Sequence, residues 1–222
     1  MRADDLDSGY WHLGIHPDHY KYLGIHIPEE DGSTSFYFWR VLFLGVSDAV
    51  FIFSVILKPI VVFLHTLGHR VSMYIDDLLT VGDSLESAVE SNRVACDALA
   101  KAGWVTKPDQ KTGPAQRLQY LGLEICFSTM KFFIPKKKLE KLLLQLAAAV
   151  NAPPHFKVRS VASTIGLLMS CSRALGPVTR IMSRNNYAWI NLALQETIWD
   201  GFAAYTSECR KEFNFCKIIL KV

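Results

Sequence analysis

The chain has 222 residues, half of them hydrophobic, and a formal net charge of +3 at pH 7. This length allows one large domain or two small ones with a buried core, and so weak a positive charge does not by itself indicate nucleic acid. The five cysteines form no C-x-x-C pair, which argues against a disulfide scaffold and favours a reducing intracellular compartment over secretion.

The first predicted elements are strands and one long helix. Residues 4–15 predict a strand that turns into a short helix, and residues 20–27 and 36–43 predict a hairpin around a polar turn. Residues 47–67 predict a helix whose apolar positions run nearly all round, so we expect burial on most sides and a kink or junction at Pro59. The apolar run is interrupted by Lys58 and is shorter than the ~20 residues of a membrane span, so we expect no membrane partner.

The next feature is a pair of adjacent acids, Asp76 and Asp77, between two apolar segments rich in β-branched and aromatic residues. Both segments predict strands, so the acids fall at the turn of a tight hairpin. Carboxylates on a rigid turn are suitable ligands for Mg²⁺. A polymerase uses two such ions to hold the attacking and leaving oxygens of the phosphoryl transfer. A further acid has to come from Asp4, Asp5 or Asp7. On a strand, Asp5 and Asp7 share one side and Asp4 takes the other.

The remaining elements complete a mixed α+β pattern. Asp83 starts a helix with Glu86 at capping-box spacing, and Gly103 ends it. The later segments are strands at residues 104–107, 120–126 and 130–134, of which the last two are expected to pair, and helices at residues 135–150, 158–171 and 178–194. The order strand, helix, hairpin, helix, strand is that of a split βαβ fold, a ferredoxin-like antiparallel sheet backed by helices.

Five segments resemble the motifs of reverse transcriptases, in the order in which that family carries them. Residues 5–12 are similar to the D-L-x-x-[GA]-Y motif, and Tyr74, Asp76 and Asp77 match the Y-x-D-D motif. The others resemble the L-P-F-G-L-x-x-A segment, the fourth motif and the primer-grip motif, at residues 41–49, 103–111 and 120–123. The similarity covers roughly residues 3–190, and residues 158–187 look most like retroelements of the DIRS and Ngaro type.

This resemblance implies a fragment of a retrotransposon reverse transcriptase, an RNA-directed DNA polymerase that adds deoxynucleotides to a primer 3′ end. It implies a palm at residues 1–134 and a helical thumb- or connection-like region at residues 135–222. The partners would be an RNA or DNA template with its primer, and deoxynucleoside triphosphates. Asp5 and Asp76 would be the principal ligands of two Mg²⁺ ions, or of Mn²⁺ in their place, with Asp77 assisting.

The resemblance also assigns residues that contact substrate. Tyr10 would stack beneath the incoming sugar and exclude a 2′-hydroxyl, with core packing as its alternative role. Gly45 would let the backbone approach template and nucleotide, or it is an ordinary turn glycine. Lys111 would approach the pyrophosphate, or it is an exposed lysine. The remaining assigned positions are Tyr74 for substrate binding and Tyr120, Leu121 and Gly122 for the primer grip.

Only four residues precede Asp5, so we expect the family's fingers region to be largely missing and the chain alone to synthesise little DNA. An inactive truncated remnant that at most binds nucleic acid is the alternative function, and a metal-dependent nuclease is a third class. The seven basic residues from Lys131 to Arg159 fit either a phosphate backbone or a solvated helix face. The four histidines from His12 to His26 match no standard zinc spacing.

Overall fold

The computed structural model describes residues 1–107 and 113–220, which belong to two compact units, Met1–Tyr120 and Leu121–Val222. Each unit contains both helices and strands, so the α+β fold class is confirmed. The boundary predicted near residue 134, which separates palm from thumb by function, stays a prediction.

The elements of the first unit are β1 (Arg2–Asp5), β2 (Gly24–Pro28), β3 (Thr34–Phe38), α1 (Ala49–Thr66), β4 (Arg70–Tyr74), β5 (Asp77–Val81), α2 (Leu85–Lys101) and β6 (Arg117–Tyr120). Short 3₁₀ helices lie at Gly9–His12 and Pro17–Tyr22. The first of them is the short helix that the sequence predicts after the first strand.

A three-stranded antiparallel sheet organises this unit. Its strand order is β1-β5-β4, so β5 lies between the other two. Helix α1 packs against β4, and α2 packs against β5. The buried core between the sheet and the helices includes Leu6, Phe53, Leu78, Leu99 and Trp104. This arrangement is the predicted antiparallel sheet backed by two helices.

Both predicted hairpins of the first unit form. Strands β4 and β5 are joined by Ile75 and Asp76, and β2 pairs with β3 in antiparallel register. Residues 104–107, predicted as a strand, do not form one. Thr106 makes only an isolated bridge to Leu6.

The prediction that α1 is buried on most sides is wrong. Its buried side chains are Ala49, Phe53, Leu57 and Leu64, which form a single stripe, whereas Phe51 on another face is 70% exposed. An apolar composition states which residues could be buried, but only the neighbouring elements decide which face is covered. By length and composition alone, α1 is also apolar enough to cross a membrane, although its buried stripe packs in the core of the first unit.

The predicted start of α2 is also wrong in detail. Ser84, not Asp83, caps the helix, and its hydroxyl accepts a hydrogen bond from the Ser87 amide at 3.1 Å. The Ser87 hydroxyl in turn accepts one from the Ser84 amide at 2.9 Å, which completes a capping box without Glu86. Asp83 forms an ion pair with Arg70 instead.

The elements of the second unit are β7 (Leu123–Cys126), β8 (Lys131–Phe133), α3 (Lys136–Val150), β9 (His155–Lys157), α4 (Val158–Met169), α5 (Ser172–Leu175), α6 (Val178–Ile181), α7 (Arg184–Glu196), β10 (Phe202–Ala204) and α8 (Ser207–Ile219). Strand β7 pairs with β8, as predicted, and β9 pairs with β10. Helices α3, α4, α7 and α8 pack around a core that includes Leu142, Leu146, Val161, Ile165 and Phe213.

Two predicted elements are divided. The strand predicted at residues 120–126 is interrupted because Leu121 and Gly122 adopt positive φ angles of 48° and 71°, which extended strands do not allow. The helix predicted at residues 178–194 is divided between α6 and α7, around Met182 and Ser183.

Candidate active site

Asp5 is the last residue of β1 and lies directly opposite Asp77, the first residue of β5. Asp76 occupies the turn just before β5, and its carbonyl accepts a hydrogen bond from the Leu6 amide at 2.9 Å. The structure therefore brings Asp5, Asp76 and Asp77 together, as the sequence predicts. They lie at the end of β1, in the turn between β4 and β5, and at the start of β5.

The turn that presents Asp76 is strained. Ile75 adopts a φ of 56°, which a β-branched residue seldom takes. Tyr74 and Asp77 pair across this turn, so only Ile75 and Asp76 connect the two strands. Such backbone conformations cost roughly 1–3 kcal/mol and concentrate at functional sites. The strain marks this turn as a candidate site independently of the charges on it.

The acids of this site, Asp77 and Asp5 among them, are partly buried. Burial raises the pKa of Asp77, the carboxylates of Asp76 and Asp5 raise it further, and the positive charge of Lys107 opposes these effects. The Asp5 side chain is only 13% exposed, and its Oδ1 is buried without a hydrogen-bond partner among the residues that the structure describes. A buried anionic oxygen without a donor is costly, which makes it a favourable contact for a cation.

Lys107 is the site residue that sequence reasoning missed. Its ammonium group donates a hydrogen bond to Asp5 Oδ2 and forms an ion pair with that carboxylate. The hydrogen bond and charge of Asp5 raise the pKa of Lys107, with smaller contributions from Asp76 and Asp7. The available signal was its position in the segment that resembles the fourth motif, where Lys111 was selected instead.

Neither alternative acid is placed like Asp5. Asp4 is buried and accepts hydrogen bonds from Arg2, at 3.2 and 3.3 Å, and from Asn92 of α2. Its carboxylate is therefore fully engaged on the side of the sheet that α2 covers. Asp7 is exposed, lies beyond the end of β1, and accepts a hydrogen bond from the Ser8 hydroxyl at 3.0 Å.

Tyr10 lies between the core and the acids. Its ring stacks on Phe53 with centroids 4.4 Å apart and an interplanar angle of 21°. Burial raises the pKa of the Tyr10 hydroxyl, and the negative charge of Asp76 raises it further. Gly9 permits this packing, since a Cβ there would lie 2.8 Å from the Phe53 ring. A partly exposed ring fixed on the core and close to Asp76 suits both roles considered for Tyr10.

The other predicted substrate and primer positions of the first unit are Gly45, Tyr74 and Tyr120. Gly45 adopts a φ of 113°, which L side chains rarely tolerate. Tyr74 is 56% exposed next to the acidic turn. The Tyr120 hydroxyl donates to the Asp77 carbonyl at 3.3 Å, and burial raises its pKa. Tyr120 thus contacts the backbone of the acidic site directly.

The other predicted positions fall elsewhere. Leu121 and Gly122 form a turn at the start of the second unit, where the Lys138 ammonium donates to the Gly122 carbonyl at 3.0 Å. Lys111 lies outside the described residues.

The acids fit a divalent cation by the chemistry of their oxygen atoms, not because they already form a complete coordination site. Within residues 1–107 and 113–220, no three His, Cys, Asp or Glu side chains are already arranged as a set of metal ligands. Asp5, Asp76 and Asp77 nevertheless supply the hard oxygen donors that Mg²⁺ and Mn²⁺ prefer. Oδ1 of Asp5 is buried and unpartnered among the described residues, so contact with a cation would stabilise it.

Comparisons with known proteins identify the family of the chain. The reverse transcriptase (RNA-dependent DNA polymerase) family matches residues 3–125. Genome polyproteins of Petunia vein clearing virus, isolates Shepherd and Hohn, are each 26% identical over 125 residues, which is 56% of this chain and 5% of the polyprotein. The chain therefore spans a small part of these relatives.

Solved structures share the fold. A foamy viral protease-reverse transcriptase in complex with an RNA/DNA hybrid has a TM-score of 0.72 and 15% identity, over 99% of this chain and 27% of that one. A complex with double-stranded DNA has a TM-score of 0.70 and 16% identity, over 99% of this chain and 41% of that one. The sequence match to more than half of the residues shows that this chain belongs to the reverse transcriptase family.

Proposed function

We propose that this chain is the polymerising part of an RNA-directed DNA polymerase, in which Asp5, Asp76 and Asp77 hold two Mg²⁺ ions, or Mn²⁺ in their place. The observation that carries the proposal is the placement of Asp5 opposite Asp77 and beside Asp76, with Oδ1 of Asp5 buried and unpartnered. Neighbouring carboxylates in partly buried surroundings are unfavourable unless a cation neutralises them. A site for divalent cations explains why the fold keeps them together.

Asp5, Asp76 and Asp77 would hold the ions, which would lower the pKa of the primer 3′-hydroxyl and neutralise charge on the triphosphate. The chain positions the reactants around them. The Tyr10 ring, fixed on Phe53, limits the space at the 2′ position of the incoming sugar. Gly45 leaves room for a nucleic-acid backbone, since it has no Cβ. Lys111 approaches the pyrophosphate, as the sequence resemblance implies.

We infer that the partners are a primed RNA or DNA template and deoxynucleoside triphosphates. The foamy viral neighbours hold double-stranded DNA and an RNA/DNA hybrid, which supports a duplex partner for this fold. On the second unit, the exposed lysines at the start of α3 offer contacts to phosphate, namely Lys136, Lys137 and Lys141.

Three other basic side chains of that stretch are engaged within the protein, whereas Lys131 is exposed at the start of β8. Lys138 donates to the carbonyls of Gly122 and Ser170 at 3.0 and 3.3 Å. Lys157 and Arg159 share the carboxylate of Asp200, at 2.9 and 2.8 Å. We therefore assign the phosphate contact to α3 rather than to the whole basic stretch.

The origin and location of the protein are further proposals. Residues 158–187 support a retrotransposon of the DIRS or Ngaro type, by sequence resemblance alone. The five free cysteines support an intracellular location, because thiols persist in reducing compartments.

The test combines DNA synthesis and binding on one preparation of the 222-residue chain. Primer extension on a primed RNA template with Mg²⁺ is compared for the wild type, Asp76→Asn and the control Asp7→Asn. We expect the low level of extension by the wild type to fall by at least about 100-fold in Asp76→Asn, because a carboxylate that would hold the metal ions is lost. Asp7→Asn should extend like the wild type.

Binding to the same primed template is measured at several salt concentrations. We expect affinity to fall as salt rises, since phosphate contacts release counterions. Salt-dependent binding without extension in any variant would favour the alternative of a protein that binds nucleic acid without polymerising. Absence of both activities would contradict the proposed function.

A further inference from the structure

Lys107 holds one of the two carboxylate oxygens of Asp5. Its ammonium group holds Oδ2 of the carboxylate and leaves Oδ1 buried without a partner. We propose that Lys107 is a built-in counter-ion of the acidic site, which holds Asp5 while no metal is bound and has to release Asp5 when a divalent cation binds. This inference rests on the proposed metal site, and Lys107 acts in it as a positioning residue through Asp5.

The charge balance of the site supports this role. The sheet and its turn bring three acidic side chains together, Asp5, Asp76 and Asp77, and Lys107 forms an ion pair with one of them, Asp5. Asp5 lies directly opposite Asp77 across β1 and β5, where like charges repel. An ammonium group and a metal ion relieve the same repulsion, so they compete for the same carboxylate.

The geometry makes the Lys107 side chain the partner that moves. Its backbone amide donates to the Asp5 carbonyl at 2.9 Å, and the neighbouring Thr106 bridges Leu6. These contacts fix the backbone of Lys107 beside β1. Its side chain is 41% exposed, however, against 13% for Asp5. The ammonium group can therefore turn into solvent on its flexible stem while Asp5 stays in place.

Competition between Lys107 and a metal ion for Asp5 also explains why the acids do not already form a set of metal ligands. While Lys107 holds Asp5, no three His, Cys, Asp or Glu side chains in residues 1–107 and 113–220 form a ligand set. A cation binds the state in which Asp5 is released, so the affinity for metal is reduced by the free energy of breaking the ion pair.

The experiment measures Mn²⁺ binding by electron paramagnetic resonance on the full chain without nucleic acid. The variants are Lys107→Met, which removes the counter-ion, and Lys107→Arg, which keeps a cation. Lys101→Met is a matched control because Lys101 is an exposed lysine of the same unit. Asp76→Asn reports the metal site itself. We expect Lys107→Met to bind Mn²⁺ at least about fivefold more tightly than the wild type, with Lys107→Arg and Lys101→Met close to the wild type.

A second readout is thermal unfolding in EDTA. Lys107→Met leaves Asp5 unpaired, so we expect its Tm to fall by roughly 3 °C relative to Lys101→Met and to recover with Mn²⁺. One result would overturn the counter-ion role of Lys107 but not the metal site. In that result, Asp76→Asn abolishes Mn²⁺ binding and Lys107→Met binds Mn²⁺ as tightly as the wild type. Absence of Mn²⁺ binding in every variant, Lys107→Met included, would overturn the metal site and the counter-ion together.

Discussion

Asp5 and Asp77 face each other across the antiparallel strands β1 and β5, one at the end of its strand and the other at the start. Directly opposed side chains in such a pair have Cβ atoms about 5 Å apart, where like charges destabilise the sheet. This unfavourable pair is retained at a strained turn that presents a further acid, Asp76. Two unfavourable features at one position indicate binding rather than stability.

The first prediction concerns the charge of Asp77. Burial and the charges of Asp76 and Asp5 raise the pKa of Asp77, so the folded protein holds this proton more tightly than the unfolded chain. The stability that results is present below the ordinary carboxyl pKa of about 4 and is lost as pH rises through the raised value. With solvent screening included, we expect Asp77→Asn to raise the free energy of unfolding at pH 7 in EDTA by roughly 0.5 kcal/mol.

Urea unfolding at pH 7 and pH 3 checks this prediction. The gain in the free energy of unfolding should disappear at pH 3, where the Asp77 carboxyl is protonated in the folded and the unfolded protein. Asp7→Asn is the control, because Asp7 is exposed and lies beyond the end of β1. A loss of stability in Asp77→Asn at pH 7 would show that the site does not disfavour this charge.

The second prediction concerns sugar selection by Tyr10, whose ring stacks on Phe53. Where DNA synthesis is measurable, we expect Tyr10→Ala to lower discrimination against ribonucleotides by about tenfold or more, because the ring no longer fills the space of a 2′-hydroxyl. Tyr10→Phe keeps the ring and should discriminate like the wild type. Single-nucleotide incorporation with matched ribo- and deoxyribonucleotides measures the ratio. An unchanged ratio in Tyr10→Ala would assign Tyr10 to core packing.

The third prediction compares two phenylalanines of α1. Phe53 is fully buried, whereas Phe51 is 70% exposed on the same helix. We expect Phe53→Ala to lower the free energy of unfolding by about 3–5 kcal/mol, through lost burial and a cavity beside Tyr10. Phe51→Ala should change it by less than about 0.5 kcal/mol. Urea unfolding of both variants measures the difference. Similar losses would mean that the exposed face of α1 is covered in solution.

The fourth prediction compares two glycines of the first unit, Gly9 and Gly14. A Cβ at Gly9 would lie 2.8 Å from the ring of Phe53, whereas a Cβ at Gly14 would meet nothing within 4 Å. We expect Gly9→Ala to lower the free energy of unfolding by about 1–3 kcal/mol, because the buried ring has to shift. Gly14→Ala should be close to neutral. Equal stability of the two variants in urea unfolding would indicate that Phe53 has room to move.

The fifth prediction concerns an ion-pair cluster of the second unit. Arg159 and Lys157 hold the pKa of Asp200 at about 2. A lowered carboxyl pKa contributes stability above the ordinary value of about 4, which is lost as pH falls through the lowered value. We expect Asp200→Asn to lower the Tm at pH 6, with the difference from the wild type shrinking between pH 4 and pH 2. Glu196→Gln, an exposed acid of the same unit, is the control and should show no such trend.

Local features of the sequence determined much of the fold. Alternating apolar positions and turn residues are short-range signals, so they predicted the hairpin that carries Asp76, the pairing of β7 with β8, and α3. Strand alternation also separated Asp4 from Asp5, and the structure places Asp4 against Asn92 of α2. The resemblance to motifs selected Asp5, Asp76 and Asp77, which the sheet brings together.

Only the tertiary structure decided which side chains meet and which faces are covered. The partner of Asp5 is Lys107, 102 positions away, and no local pattern encodes a contact over that distance. The apolar sequence of α1 could not show that Phe53 is buried while Phe51 is exposed, because coverage depends on the neighbouring sheet and helix. The sequence by itself determined most of the helices and strands and selected the acids. The charge that balances those acids was decided by packing, since ion pairs depend on distances between side chains that only the folded chain sets.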